Sequence, residues 1–139
     1  MILKNVPNIL LIEDDESDIE LFRMAVAKSP IAHELAIARN SDEAMTSLGR
    51  SIPDLIFMDV NLPGKIGTVL LKELKSHNQF KRIPVIILST AATPKGINEA
   101  YDNHANAYLV KPIAFKDLTN ALLKTLEFWL QVASKPPVD

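Results

Sequence analysis

Asp54-Leu55-Ile56-Phe57-Met58-Asp59, followed by Val60-Asn61-Leu62-Pro63-Gly64, decides how the rest of this chain is read. Four consecutive apolar residues without polar alternation predict a strand covered on both faces. The run ends on a carboxylate entering a Pro-Gly turn, and in open α/β sheets ligands collect at the carboxyl ends of strands. Working outward, Ile9-Leu10-Leu11-Ile12 ends in Glu13-Asp14-Asp15, Val85-Ile86-Ile87-Leu88 in Ser89-Thr90, and Tyr108-Leu109-Val110 in Lys111-Pro112. If these strands are parallel neighbours, two acids, an aspartate, a hydroxyl and a lysine share one site.

The chain alternates strand and helix five times. Strands are expected near 8–12, 34–38, 54–58, 84–88 and 106–110, and helices near 16–28, 41–49, 66–76, 95–103 and 115–133. Ser41-Asp42-Glu43 has the pattern of a helix N-cap with acids in the first turn, and Thr93-Pro94 that of a cap with proline at the first helical position. Five βα units predict a doubly wound, five-stranded parallel sheet with right-handed crossovers.

At 139 residues the chain reads as one domain spanning 1–139, with a core from 8 to about 126 and a helix extension and tail over 127–139. A chain of this length buries about two-thirds of its unfolded surface. The net charge of −2 offers no electrostatic case for nucleic acid or a membrane surface. The absence of cysteine excludes disulfides, thiolate metal sites and thiol catalysis, and fits a cytoplasmic location. No apolar stretch approaches the ~20 residues that cross a bilayer, and the first residues lack the charge order of a signal peptide.

Glu13, Asp14 and Asp59 would raise one another's pKa if crowded without a cation. Carboxylates are hard ligands suited to Mg²⁺ or Mn²⁺. Read blandly, Glu13-Asp14-Asp15 is only an acidic helix start that complements the helix dipole. Read as a site, Asp59 is a nucleophile toward a phosphoryl group, a reaction that needs positioning and positive charge more than covalent help. A metal would hold one phosphoryl oxygen, Lys111 would neutralise another, and Ser89 or backbone N–H groups would bond the third, with Thr90 competing for the part of Ser89. His33, His77 and His104 show no ligand spacing.

Taken together, these residues resemble the receiver domain of bacterial response regulators, over residues 8 to about 126. Glu13-Asp14 matches the acidic pair, Asp59 the phosphoacceptor, Ser89 the switch hydroxyl, and Lys111-Pro112 the family's Lys-Pro. Asn61 matches the position whose backbone carbonyl binds the metal, Tyr108 the aromatic that turns inward on activation, and Gly67 a glycine opening the third helix. The resemblance implies a flavodoxin-like (βα)5 fold with strand order 2-1-3-4-5, Mg²⁺ or Mn²⁺ as cofactor, and a cis Lys111-Pro112 bond. It also implies a stand-alone switch rather than a metabolic enzyme, with at most weak autophosphatase activity. Asp59-Val60-Asn61-Leu62-Pro63 and Phe128-Trp129-Leu130 are similar to the regulators that partner phytochrome-type histidine kinases. Two residues depart from the pattern: Ile66 where an Asp is common, and His104 where a glycine commonly ends the fourth helix.

Three other readings compete. A haloacid-dehalogenase-type phosphohydrolase would carry a second Asp where Asn61 stands, with its nucleophile on the first strand. A flavodoxin-like FMN protein would need a phosphate-binding loop where the acids stand. An interaction module that is never phosphorylated would keep the fold without using the site. The span leaves no room for a DNA-binding or catalytic effector, so output is expected through a partner protein. On the last helix, apolar residues cover an arc of roughly 220°, against the ~100° or so that one sheet face needs. Leu123, Leu126 and Leu130 are assigned to the surplus edge, as the interface of a homodimer.

Overall fold

The computed structural model describes residues 6–60 and 67–137, so the expectations placed on Asn61 and Ile66 lie outside the described residues. Along the chain run β1 (Asn8–Ile12), α1 (Glu16–Val26), β2 (Glu34–Ala38), α2 (Ser41–Arg50), β3 (Leu55–Met58), α3 (Gly67–Ser76), β4 (Val85–Ser89), α4 (Pro94–Asp102), β5 (Ala107–Val110) and α5 (Phe115–Glu127), which continues into a π-helical turn, Phe128–Val132. All five strands are parallel, in the order β2-β1-β3-β4-β5. This is the doubly wound sheet expected from the alternating pattern. None of the described helices is long and apolar enough to cross a membrane.

Side-chain alternation along the strands builds two cores. Leu10, Ile12, Ile56, Met58, Val85 and Ile87 face one side, with Leu48 of α2, Leu70, Leu71 and Leu74 of α3 and Ala100 of α4. Ile9, Leu11, Leu55, Phe57, Ile86 and Leu88 face the other, under Ile19 and Phe22 of α1 and Leu118 and Leu122 of α5. The central strands β3 and β4 are buried throughout, whereas the edges β2 and β5 are not. Double coverage is therefore confined to the middle of the sheet. β3 begins at Leu55, one residue later than the expected range of 54–58. Asp54 serves the connection, its Oδ2 accepting from the Asn8 N–H at 2.8 Å and its Oδ1 facing Lys135 at 3.4 Å.

Local chemistry sets the helix ends. Asp15 caps α1 by accepting from the Asp18 N–H at 2.9 Å. The cap of α2 is Asn40, accepting from the Glu43 N–H at 2.8 Å, while Ser41, expected in that place, is the first helical residue and is buried. Asn40 has the extended backbone a cap requires. Thr93 caps α4 with Pro94 in the first turn, as its sequence predicts.

At the other end of α4, His104 has φ of 71°. The Ala105 N–H reaches the Ala100 carbonyl at 3.0 Å and the His104 N–H the Tyr101 carbonyl at 2.9 Å. These are the two bonds of a Schellman motif, which needs a left-handed residue where His104 stands.

The apolar arc of the last helix is turned the other way from the expected one. Leu126 is 0% and Leu130 8% exposed, packed in the core with Leu118, Leu122, Ile19 and Phe22. Leu123 is half-buried. The opposite edge is open, with Phe128 49% and Val132 65% exposed. The cause is that α5 packs against α1 as well as the sheet, widening its buried stripe toward Leu126. Beyond Glu127 the chain winds more slowly, closed by an i+5 bond from the Ala133 N–H to the Phe128 carbonyl at 2.7 Å. That slower advance keeps Leu130 over the same face.

Candidate functional site

Backbone bonds that extend the ladder align the tips of β1 and β3 and those of β4 and β5, and the pairing of β3 with β4 joins the two pairs. The Asp59 N–H donates to the Ile12 carbonyl at 3.0 Å, the Lys111 N–H to the Ser89 carbonyl at 2.7 Å, and the Glu13 N–H to the Ala38 carbonyl at 2.9 Å. Glu13 and Asp14 follow β1, Asp59 follows β3, Ser89 ends β4 and Lys111 follows β5. All five residues are thus gathered at the carboxyl edge of the sheet. Asp59 follows the third strand, unlike the first-strand nucleophile of the haloacid-dehalogenase type.

Gly67 lets the chain close over Asp59. A methyl group there would lie 2.5 Å from the Val60 Cα and 2.7 Å from the Asp59 carbonyl oxygen. No side chain fits where two backbones approach this closely. The Gly67 N–H also donates to the Val60 carbonyl at 2.7 Å, pinning α3 beside the carboxylate.

Lys111 gathers the acids. Its Nζ donates to Glu13 Oε1 at 2.8 Å and to Asp18 Oδ2 at 3.2 Å, and lies 3.8 Å from Asp59 Oδ2. Burial is the largest single influence on this lysine and acts to lower its pKa, but Glu13, Asp59 and Asp18 together raise it above the ordinary value. It is a firmly charged ammonium. Burial also pushes the Glu13 carboxyl up, to about 7, with Asp59 adding to the rise against the lowering effect of Lys111. The other Glu13 oxygen accepts from the Asp14 and Asp15 N–H groups at 3.1 and 3.2 Å. Lys111-Pro112 is trans rather than the expected cis, the ordinary lower-energy isomer.

Glu13, Asp14 and Asp59 each offer a carboxylate oxygen, all within 4.8 Å of one another. One lysine cannot neutralise that set. A hard divalent cation suits both the charge and the all-oxygen chemistry. Asp14 is exposed and Asp59 half-buried, so the cluster is open to solvent on one side.

Ser89 and Tyr108 meet at the backbone of a single residue, Ala91. The buried Ser89 Oγ accepts from the Ala91 N–H at 3.1 Å, and the Tyr108 hydroxyl donates to the Ala91 carbonyl at 2.7 Å. Thr90, the alternative hydroxyl, is exposed and lines a cleft beside α1. Two further residues take part that carry little signal in the sequence. Tyr101 accepts from the Tyr108 N–H through its hydroxyl at 3.2 Å, tying α4 to β5. Asp18 reads along the chain only as a first-turn acid, and its contact with Lys111 spans 93 residues.

The family model of the response regulator receiver domain matches residues 9–123. Response regulator Rcp1 from Synechocystis sp. is 36% identical over 135 residues, covering 92% of each chain. The crystal structure of the phosphorylated cyanobacterial phytochrome response regulator RcpA superposes with a TM-score of 0.89 at 38% identity, covering 96% of this chain and 100% of RcpA. The Mn²⁺-bound form of Rcp1 superposes with a TM-score of 0.85 at 36% identity, covering 94% of this chain and 99% of Rcp1. By the match over residues 9–123 and the likeness to Rcp1 along most of both chains, this chain belongs to the response regulator receiver family.

Proposed function

We propose that Asp59 accepts a phosphoryl group from a histidine kinase, and that the phosphorylated form exchanges one set of protein contacts for another. The carrying observation is the convergence of Glu13, Asp14, Asp59, Ser89 and Lys111 on one sheet edge. One Asp59 oxygen bonds to phosphorus as the donor's bond breaks and its electron pair leaves with the donor atom. Lys111 neutralises one phosphoryl oxygen and the Ser89 hydroxyl donates to another. Glu13, Asp14 and Asp59 would hold Mg²⁺ or Mn²⁺, which supplies positive charge against the transferring oxygens. Once Ser89 turns toward the phosphoryl group, its bond to the Ala91 N–H is lost, and the Tyr108 anchor on the same residue is free to rearrange.

The likeness to RcpA, a phytochrome response regulator, supports a phytochrome-type kinase as donor. Slow self-hydrolysis of the acyl phosphate would reset the switch. A second copy of this chain is the proposed cover for the exposed Phe128 and Val132. Phe128→Lys should lower the mass found by sedimentation if so, and an unchanged mass removes the homodimer.

Intact mass after incubation with phosphoramidate tests the main reading. Wild type should gain one phosphoryl group when Mg²⁺ is supplied, and Asp59→Asn none. No gain by wild type under any condition leaves a constitutive interaction module.

A further inference from the structure

Lys111 is held from one side. Its ammonium is hydrogen-bonded to Glu13 and, at 3.2 Å, to Asp18, but stands 3.8 Å from the nearest Asp59 oxygen. That last distance is beyond a hydrogen bond. We propose that Asp18 is a positioning residue that draws Lys111 toward α1 and thereby slows transfer of a phosphoryl group onto Asp59. This rests on the reading of Asp59 as phosphoacceptor.

Three observations carry it. The cap of α1 is supplied by Asp15, so the Asp18 carboxylate is not spent on the helix end. Asp18 stands outside the three-acid cluster, so its removal leaves that set intact. A cleft of about 160 Å³ opens beside the pair, bordered by Leu21, Thr90 and Ile113, so Lys111 is not wedged in place by tight packing. Charge holds it there. Lys111 is 11% exposed at its side chain and Asp18 38%, so the pair lies where the buried site meets solvent.

In the transfer, Asp59 forms a bond to phosphorus while the P–N bond of N-protonated phosphoramidate breaks, and the electron pair leaves with ammonia. The oxygens arriving on Asp59 need the ammonium near them. Lys111 must give up Asp18 to reach them, and that loss raises the barrier. Glu13 remains as its second anchor.

The test follows the rate of phosphoryl gain by intact mass in the full chain, with Mg²⁺ and a range of phosphoramidate concentrations. Asp18→Asn keeps the shape and removes the charge. It should speed uptake at least about twofold, as expected for partners in one charged network. The gain should appear in the maximal rate and not in the donor concentration giving half of it. Asp18→Glu should restore the slower rate. In a Lys111→Met background, Asp18→Asn should change nothing.

A rate in Asp18→Asn equal to wild type overturns the proposal. So does an acceleration that persists without Lys111 or appears only as tighter use of the donor, since Asp18 would then merely repel an anion. Wild type gaining a phosphoryl group with indifferent Asp18 variants removes this proposal alone. Wild type gaining none removes the phosphoacceptor reading and this proposal with it.

Discussion

The two halves of the sheet edge are built differently. On the β1–β3 side, Glu13 is 2% exposed, Asp59 is closed over by the Gly67 backbone, and α3 sinks Leu70, Leu71 and Leu74 into the core. On the β4–β5 side, residues 90–95 are exposed, β5 is nowhere fully buried, and among its described residues α4 buries only Ala100. Ser89 and Tyr108 join that second half through single hydrogen bonds to Ala91. The three carboxylates of the site sit on the deeply packed half, and the elements suited to move sit on the half that has little packing to lose.

Core truncation should sharpen this contrast most. Leu71→Ala on α3 should cost about 3 kcal/mol, whereas Ala100→Gly on α4 should cost about 1 kcal/mol. Denaturant unfolding of both variants checks it. Equal losses would break the distinction between an anchored and a loosely held helix.

A smaller effect concerns the tie between the halves. Lys75 at the end of α3 donates to the Ile83 carbonyl and to Asn106 Oδ1, both at 2.8 Å, and Asn106 Oδ1 also accepts from the Val85 N–H at 2.9 Å. Burial lowers the Lys75 pKa from 10.5 to about 8. The unfolded chain therefore binds more protons than the folded one between those values, so stability should rise with pH from about 8 to 10.5 and be flat below that window. The rise attributable to Lys75 should be about 1–2 kcal/mol, allowing for solvent screening. Subtracting the pH profile of Lys75→Met from that of wild type isolates it, and a zero difference would dissolve the tie.

The smallest expected effect is at the end of α4. His104 occupies a left-handed conformation that glycine adopts without cost. His104→Gly should add about 0.5–1 kcal/mol, the strain relieved less the greater freedom of the unfolded glycine. Since α4 is the loosely held helix, thermal unfolding should register the gain while phosphoryl uptake at Asp59 stays as in wild type.

Much of this was legible along the chain. Strand positions followed from short apolar runs such as Ile9-Leu10-Leu11-Ile12, each bounded by polar residues and alternating with helical patterns. The polar residue ending each run then marked its tip, and parallel order brought Glu13, Asp14, Asp59, Ser89 and Lys111 together. The left-handed residue at His104 stands where the family resemblance places a glycine. Tertiary structure alone decided the rest. An apolar arc gives the width of a helix face but not which edge a neighbour covers, so Leu126 and Leu130 lie inside and Phe128 and Val132 outside only because of α1 and the π-helical turn. The grip of Asp18 on Lys111 had no local signature, since a carboxylate in a first turn looks the same whether it faces water or a lysine brought from 93 residues away. Short-range pattern determined which elements form and what stands at their ends, and packing between distant segments determined which side chains those ends touch.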